Sequence, residues 1–158
     1  MEFIKYNANP KGWKVGDCVI RAVAVGTLGS WDTVFDKLSD VGKKKCRMPN
    51  DPLVYGKYLK DLGFIEEKQL KYTSGRRYLI EDVVDEHPFD ILLIHCAHHL
   101  TVAIRGHLID TWNCGGRTSG KYWRLPYKKF SEIGTSEDDI LGYIEWLKEN
   151  RMKEKVRL

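Results

Sequence analysis

Apolar residues recur at helical spacing through the first third of the chain and change to a strand rhythm near residue 90. Val19, Ile20, Val23 and Ala24 fall on one helical stripe behind Asp17, a good N-cap, and ahead of Gly26, which can end a helix. A second helix is predicted from Ser30 as N-cap through Trp31, Val34, Phe35 and Leu38 to Val41, with Gly42 as the stop. Asp51-Pro52 starts a third, using proline at its first position; it carries Leu53, Tyr55, Tyr58, Leu59 and Leu62 and ends before Gly63. Ile80 to Glu86 reads as a short helical turn stopped before Pro88. Strands are predicted over Ile91 to Ala97, His99 to Ile104 and Leu108 to Trp112, with a fourth near Tyr122 to Leu125. Glu137 to Lys148, behind Ser136, is an amphipathic helix with Ile140, Leu141, Ile144 and Leu147 on one face, and its acids first and lysine last suit the helix dipole. Helices, then an antiparallel sheet, then a helix make an α+β fold.

Length adds a bound. A chain of 158 residues is near the usual size of one domain, and no repeat or linker divides it, so a single domain is expected over residues 1–150 with a basic tail from 151 to 158. With 42% hydrophobic and 30% charged residues and a mean hydropathy of −0.43, the composition is that of an ordinary folded protein and not of a disordered or collagen-like one. The most apolar run, Ile91 to Ile94, ends at His95 and falls far short of the ~18 residues a membrane span needs. The first residues carry no apolar core of a secretory signal, so the chain is read as cytoplasmic, with no membrane partner. The four cysteines, Cys18, Cys46, Cys96 and Cys114, are then expected as thiols. The net charge of +4 arises from 26 basic and 22 acidic residues; part of the excess lies in Lys43-Lys44-Lys45 and the tail, where it reads as solvated, so nucleic acid is not expected as a partner.

One cysteine has a distinctive setting. Cys18 falls in the first turn of the first predicted helix, where free backbone amides and the dipole favour a thiolate and lower its pKa. Taken alone it reads first as a small buried hydrophobe filling the helix-to-sheet contact. A two-residue loop at Arg105-Gly106 would set residue 104 opposite 107 and 101 opposite 110, so that His99, Thr101 and Asp110 share one face and His98 points away. A histidine beside a thiol can take its proton, and an acid beside the histidine orients the ring, which gives Cys18, His99 and Asp110 the parts of nucleophile, base and orienting acid. An oxyanion would be met by the Cys18 amide and a side-chain amide, for which Asn7 is preferred over the turn residue Asn9.

These residues resemble the cysteine, histidine and acid order of the papain-like superfamily: Gly16-Asp17-Cys18 opening a helix, His99-Leu100-Thr101-Val102-Ala103-Ile104, and Asp110-Thr111. Tyr6-Asn7, the Asp17 to Ala22 stretch and the His99 to Asp110 spacing are similar to those of small bacterial and bacteriophage papain-like proteins. The resemblance implies a helix headed by the cysteine and packed on an antiparallel sheet. It also implies hydrolysis or transfer at an amide or thioester through an acyl-cysteine. A cysteine peptidase or isopeptidase acting on a protein or peptide ranks first; a transglutaminase or acyltransferase, and an inactive papain-fold binding module, are the alternatives. Papain carries a glutamine six positions before its cysteine, where this chain has Gly12.

Other readings draw on different residues. Cys96, His98 and Cys114, with His95 nearby, could hold structural zinc, and in the same register Cys96, His98 and Asn113 would face away from His99. The absence of any Cys-x-x-Cys pair argues against it, and no metal is expected. Lys121 to Arg124 could be an aromatic and basic contact surface, and Gly115 to Gly120 a mobile loop beside the cleft. No phosphate loop or dinucleotide fingerprint is present, so no cofactor is expected. The pattern gives no oligomeric state.

Overall fold

A computed structural model describes residues 1–152, so all of the basic tail except Arg151 and Met152 lies outside the described residues. Six strands, β1 (Glu2–Lys5), β2 (Ile65–Glu67), β3 (Ile91–Cys96), β4 (His99–Ile104), β5 (His107–Asp110) and β6 (Tyr122–Leu125), form one sheet in the order β1-β5-β4-β3-β6-β2. The helices are α1 (Cys18–Gly26), α2 (Trp31–Lys45), α3 (Pro52–Asp61), α4 (Ile80–Glu86) and α5 (Glu137–Glu149), with a 3-10 helix over Tyr127–Ile133. The fold is α+β, as expected. The sheet is mixed, not wholly antiparallel: β1 runs parallel to β5, a pairing that the long helical excursion between the two strands permits.

The sheet is covered on both faces. Leu93, Leu100, Val102, Ile104 and Ile109 pack against α1, α2, α3 and α5, while Leu92, Ile94, Ala103 and Leu108 pack against Ile80, Val83 and Val84 of α4. Burial on both sides explains why β3 opens as an unbroken apolar run.

Helix ends follow local chemistry. Ser30 accepts from the Thr33 amide at 3.2 Å, Asp51 from Leu53 at 2.8 Å and Ser136 from Asp139 at 3.1 Å. Two expectations need correction. Asp17 precedes α1 but makes no side-chain cap, because its carboxylate is engaged by other groups. α2 does not stop at Gly42. It runs on to Lys45 and ends with Cys46 in the left-handed region. Gly42 is needed for close approach instead: a Cβ there would stand 2.6 Å from the Arg47 carbonyl oxygen. Among the described residues no single helix is long and apolar enough to cross a membrane.

Candidate active site

The turn between β4 and β5 decides which side chains meet. Arg105 and Gly106 both have positive φ, 46° and 78°, as a two-residue type I′ turn requires, and Ile104 pairs with His107 and Val102 with Ile109. This register puts His99 and Asp110 on one face, and His99 Nε2 lies 2.7 Å from Asp110 Oδ2, with the side chains only 12% and 6% exposed.

α1 brings the thiol to the same point from the other side. Cys18, half-buried, lines the same cleft as His99 and Leu100. With Nε2 held by Asp110, Nδ1 is the nitrogen left for the thiol. Burial pushes the Cys18 thiol up, but the nearby His99 ring and Leu100 amide and the positive charges of His99 and Arg21 outweigh it, and its pKa falls below the usual thiol range. Burial alone would depress His99. Its hydrogen bond to Asp110 and the nearby Cys114 and Cys18 thiols, with the Asp110 charge, raise it well above the ordinary imidazole range. Asp110 is lowered because His99 and the Thr111 amide overcome the burial that raises it. These directions favour a thiolate–imidazolium pair.

The pair is tied to the scaffold through Arg21. Its Nε lies 2.9 Å from Asp17 Oδ1, and its Nη1 donates to Thr111 Oγ1 at 3.1 Å and stands 3.7 Å from Asp110 Oδ1. Asp17 Oδ2 in turn accepts from Trp31 Nε1 at 2.8 Å and Asn9 Nδ2 at 3.0 Å. One buried carboxylate thus joins the N-terminal loop, α1 and α2 directly behind Cys18. Asp17 and Arg21 were legible as an i,i+4 acid–base pair on a helix, but this spacing does not reveal the link to Asp110.

The thiol opens on a cleft of about 370 Å³ lined by residues that include Gly16, Asn50, Tyr55, His95 and His98. His98 is a turn residue with φ 55° and not a strand residue facing the opposite way, so it lines the cleft together with His99. Asn7 is not among the lining residues. Its Oδ1 accepts from the Asn9 amide at 2.9 Å and its Nδ2 points at the Trp13 carbonyl at 3.5 Å, so its carboxamide serves the loop. The side-chain amide and hydroxyl that do line the cleft are Asn50 and Tyr55. Burial and the nearby Cys18 charge raise the Tyr55 phenol, which keeps it a proton donor. Both residues lie at the start of a different helix, and no local pattern marked them.

A second recess of about 400 Å³ flanks the other side of His99, lined by Cys96, Ala97, Trp112, Arg117 and Thr118. The Trp112 ring is 5.3 Å from the His99 ring, with the Arg117 guanidinium 5.7 Å from the Trp112 centroid. The Gly115 to Gly120 segment is anchored: Gly115 and Arg117 carbonyls accept from the first turn of α4, and Gly120 N–H donates to the His95 carbonyl at 2.7 Å. Tyr122 and Trp123 are core residues at 2% and 1% exposure, and Arg124 pairs with Glu67 and Asp90, so this stretch is no exposed contact surface.

The cysteines also depart from expectation. Cys96 pairs with His99 across β3 and β4, and therefore shares its face and does not oppose it. His99, Asp110 and Cys114 place one potential metal-ligand atom each within 4.8 Å of one another. The 2.7 Å separation of Nε2 and Oδ2 is a hydrogen bond and too short for two zinc ligands each at ~2.0–2.2 Å in tetrahedral array. Comparison with protein-family models, with curated proteins and with solved structures finds no match to this chain.

Proposed function

We propose that the chain is a papain-like thiol hydrolase or transferase that works through an acyl-cysteine, with a protein or peptide amide as substrate. The observation that carries this reading is an open cleft lined by both Cys18 and His99, with His99 held by Asp110 at 2.7 Å. A cysteine heading a helix on a sheet, with histidine and acid from consecutive strands, is the arrangement that the superfamily resemblance implies.

The chemistry follows from the positions. The Cys18 thiolate attacks the carbonyl carbon in the cleft, and the carbonyl oxygen takes the negative charge. Donors for that oxygen are the Cys18 backbone N–H at the head of α1 and, from the cleft wall, Tyr55 or Asn50. His99 then gives its proton to the departing amine as the C–N bond breaks, leaving a thioester. Water, deprotonated by His99, attacks the thioester and returns the free thiol; an amine in place of water makes the reaction a transfer. Asp110 keeps the ring in position and balances the imidazolium charge.

Competitive labelling of the native protein with limiting iodoacetamide near neutral pH tests this reading. Cys18 is expected to be alkylated before Cys46, the exposed thiol, and before Cys96 and Cys114. His99→Ala should abolish the preference and His98→Ala should leave it. Labelling of Cys46 ahead of Cys18, or loss of preference in His98→Ala alone, would overturn the assignment.

A further inference from the structure

Cys114 takes no part in the reaction just described, yet it sits behind the reacting pair. It follows β5 by four residues, is fully buried, and its thiol donates to Asp110 Oδ2 at 3.8 Å while lying within 4.8 Å of a His99 ring nitrogen. The same oxygen receives His99 Nε2 at 2.7 Å. The other oxygen, Oδ1, receives the Thr111 amide at 2.7 Å with Arg21 at 3.7 Å. The carboxylate is therefore held at both ends, and at the His99 end the thiol is a second donor beside the imidazole, with the buried Thr101 hydroxyl also acting on the carboxylate.

The backbone around Cys114 is built to keep the sulfur in place. Its carbonyl accepts from Arg117 N–H at 3.0 Å, and the next residue, Gly115, has its carbonyl bonded to Glu81 N–H at 2.9 Å and its amide bonded to Asn113 Oδ1 at 3.0 Å. The side chain packs in the core layer shared by α4 and the sheet, with Cys96 and Leu108. The thiol itself has no exposed surface.

The geometry points to Cys114 as a positioning residue: its thiol fixes the plane of the Asp110 carboxylate, so that Oδ2 stays in line with His99 Nε2. This rests on the proposed Cys18–His99–Asp110 reading and extends it by a fourth, non-reacting side chain. A thiol is suited to the place. Its long C–S bond lets it approach a carboxylate oxygen already occupied by an imidazole, and as a weak donor it does not displace the stronger His99 bond. The sequence offered only an isolated cysteine past a strand end; the turn at Asn113 to Arg117 is what carries it back to Asp110.

The experiment has two readouts. The first is the acid limb of Cys18 alkylation against pH in the wild type: an ordinary thiol profile with a midpoint near the free value of ~8.5 would remove the underlying reading itself. The second is the titration of His99 followed by NMR of its ring Cε1–H, in a Cys18→Ala background with and without changes at Cys114. Cys114→Ala and Cys114→Val are expected to lower the His99 midpoint and, with Cys18 restored, to move the alkylation limb upward, each by about half to one pH unit, a fraction of what a hydrogen bond to a charged group supplies. Cys114→Ser, which keeps a donor, should recover most of the shift. If Cys114→Val unfolds, Cys114→Ala, which adds no bulk to the core, carries the comparison. A wild type with a depressed Cys18 midpoint and Cys114 variants that titrate as wild type would overturn the positioning role and leave the triad standing. An equal shift in Ser and Ala would do the same, since it would trace to packing and not to the donor.

Discussion

Asp110→Asn keeps the size of the side chain and removes its charge. His99 and Asp110 are 12% and 6% exposed and 2.7 Å apart, so water neither screens the pair nor replaces it. A hydrogen bond to a charged group in such a place is worth about 1.5–3 kcal/mol, or about 1–2 pH units at 1.36 kcal/mol per unit. The sign is fixed by which state the charge favours: without it the imidazolium loses its partner, the His99 pKa falls, and the Cys18 thiolate loses the cation that lowers its own. The acid limb of Cys18 alkylation should therefore climb by about 1–2 units, and the rate well below the new midpoint should drop by about ten- to hundredfold. Arg21 keeps Asp17 at 2.9 Å and His99 can shed its proton, so no uncompensated charge stays buried and the fold should survive, as near-ultraviolet circular dichroism would report. Alkylation followed peptide by peptide with mass spectrometry, from roughly pH 4 to 9, gives the profile, with Cys46 as the reference thiol. A variant whose Cys18 profile superimposes on the wild type would refute the reasoning, because the 2.7 Å contact would then carry no catalytic charge.

Three further expectations follow from the same contacts. In Cys18→Ala, the raised His99 pKa stabilises the fold fully below the unfolded imidazole value of ~6.5 and is lost as pH rises toward the folded value, so urea unfolding should weaken by up to about 1.4 kcal/mol per unit between roughly pH 7 and 8; a flat or rising profile would exclude the shift. Asp17→Ala leaves Arg21, Trp31 Nε1 and Asn9 Nδ2 without their acceptor and should cost about 3–5 kcal/mol in denaturant titration, whereas a loss under about 1 kcal/mol would show that the carboxylate does not tie these elements together. Gly42→Ala, whose Cβ would meet the Arg47 carbonyl oxygen at 2.6 Å, should cost about 1–3 kcal/mol and shift the loop that leads to Asn50, while Gly26→Ala meets only side-chain atoms of Leu93 and Val102 and should cost less; the reverse order in melting temperature would contradict the close-approach account.

Much of the site was legible because its signals are local. A helix start at Cys18 and a two-residue turn at Arg105-Gly106 are written in adjacent residues, and strand alternation carried His99 and Asp110 to one face from the turn alone. β1 escaped because Glu2–Lys5 is an edge strand with only Ile4 buried, and its partner begins about a hundred residues later. β2 is equally thin, three residues ending in two acids that pair with β6. Gly42 misled because a glycine that permits close approach reads the same as one that ends a helix. Asn50, Tyr55 and Cys114 reach the site only through the packing of α3 and the return of the chain after β5, neither of which leaves a periodic trace.

The position of β5 has a bearing on how the protein comes into being. Both of its neighbours, β1 and β4, leave the ribosome before it, and β5 must slide between them; Tyr6 N–H then closes on the Asp110 carbonyl at 2.9 Å. Cys18 is thus synthesised long before the acid that completes its environment, and through that interval it has the reactivity of an ordinary thiol. On the proposed reading, closing the sheet also completes the surroundings that activate Cys18. A tag or truncation at the first strand would therefore be felt at Asp110, through its pairing with Lys5 and the Tyr6 amide, as directly as at Ile4 in the core.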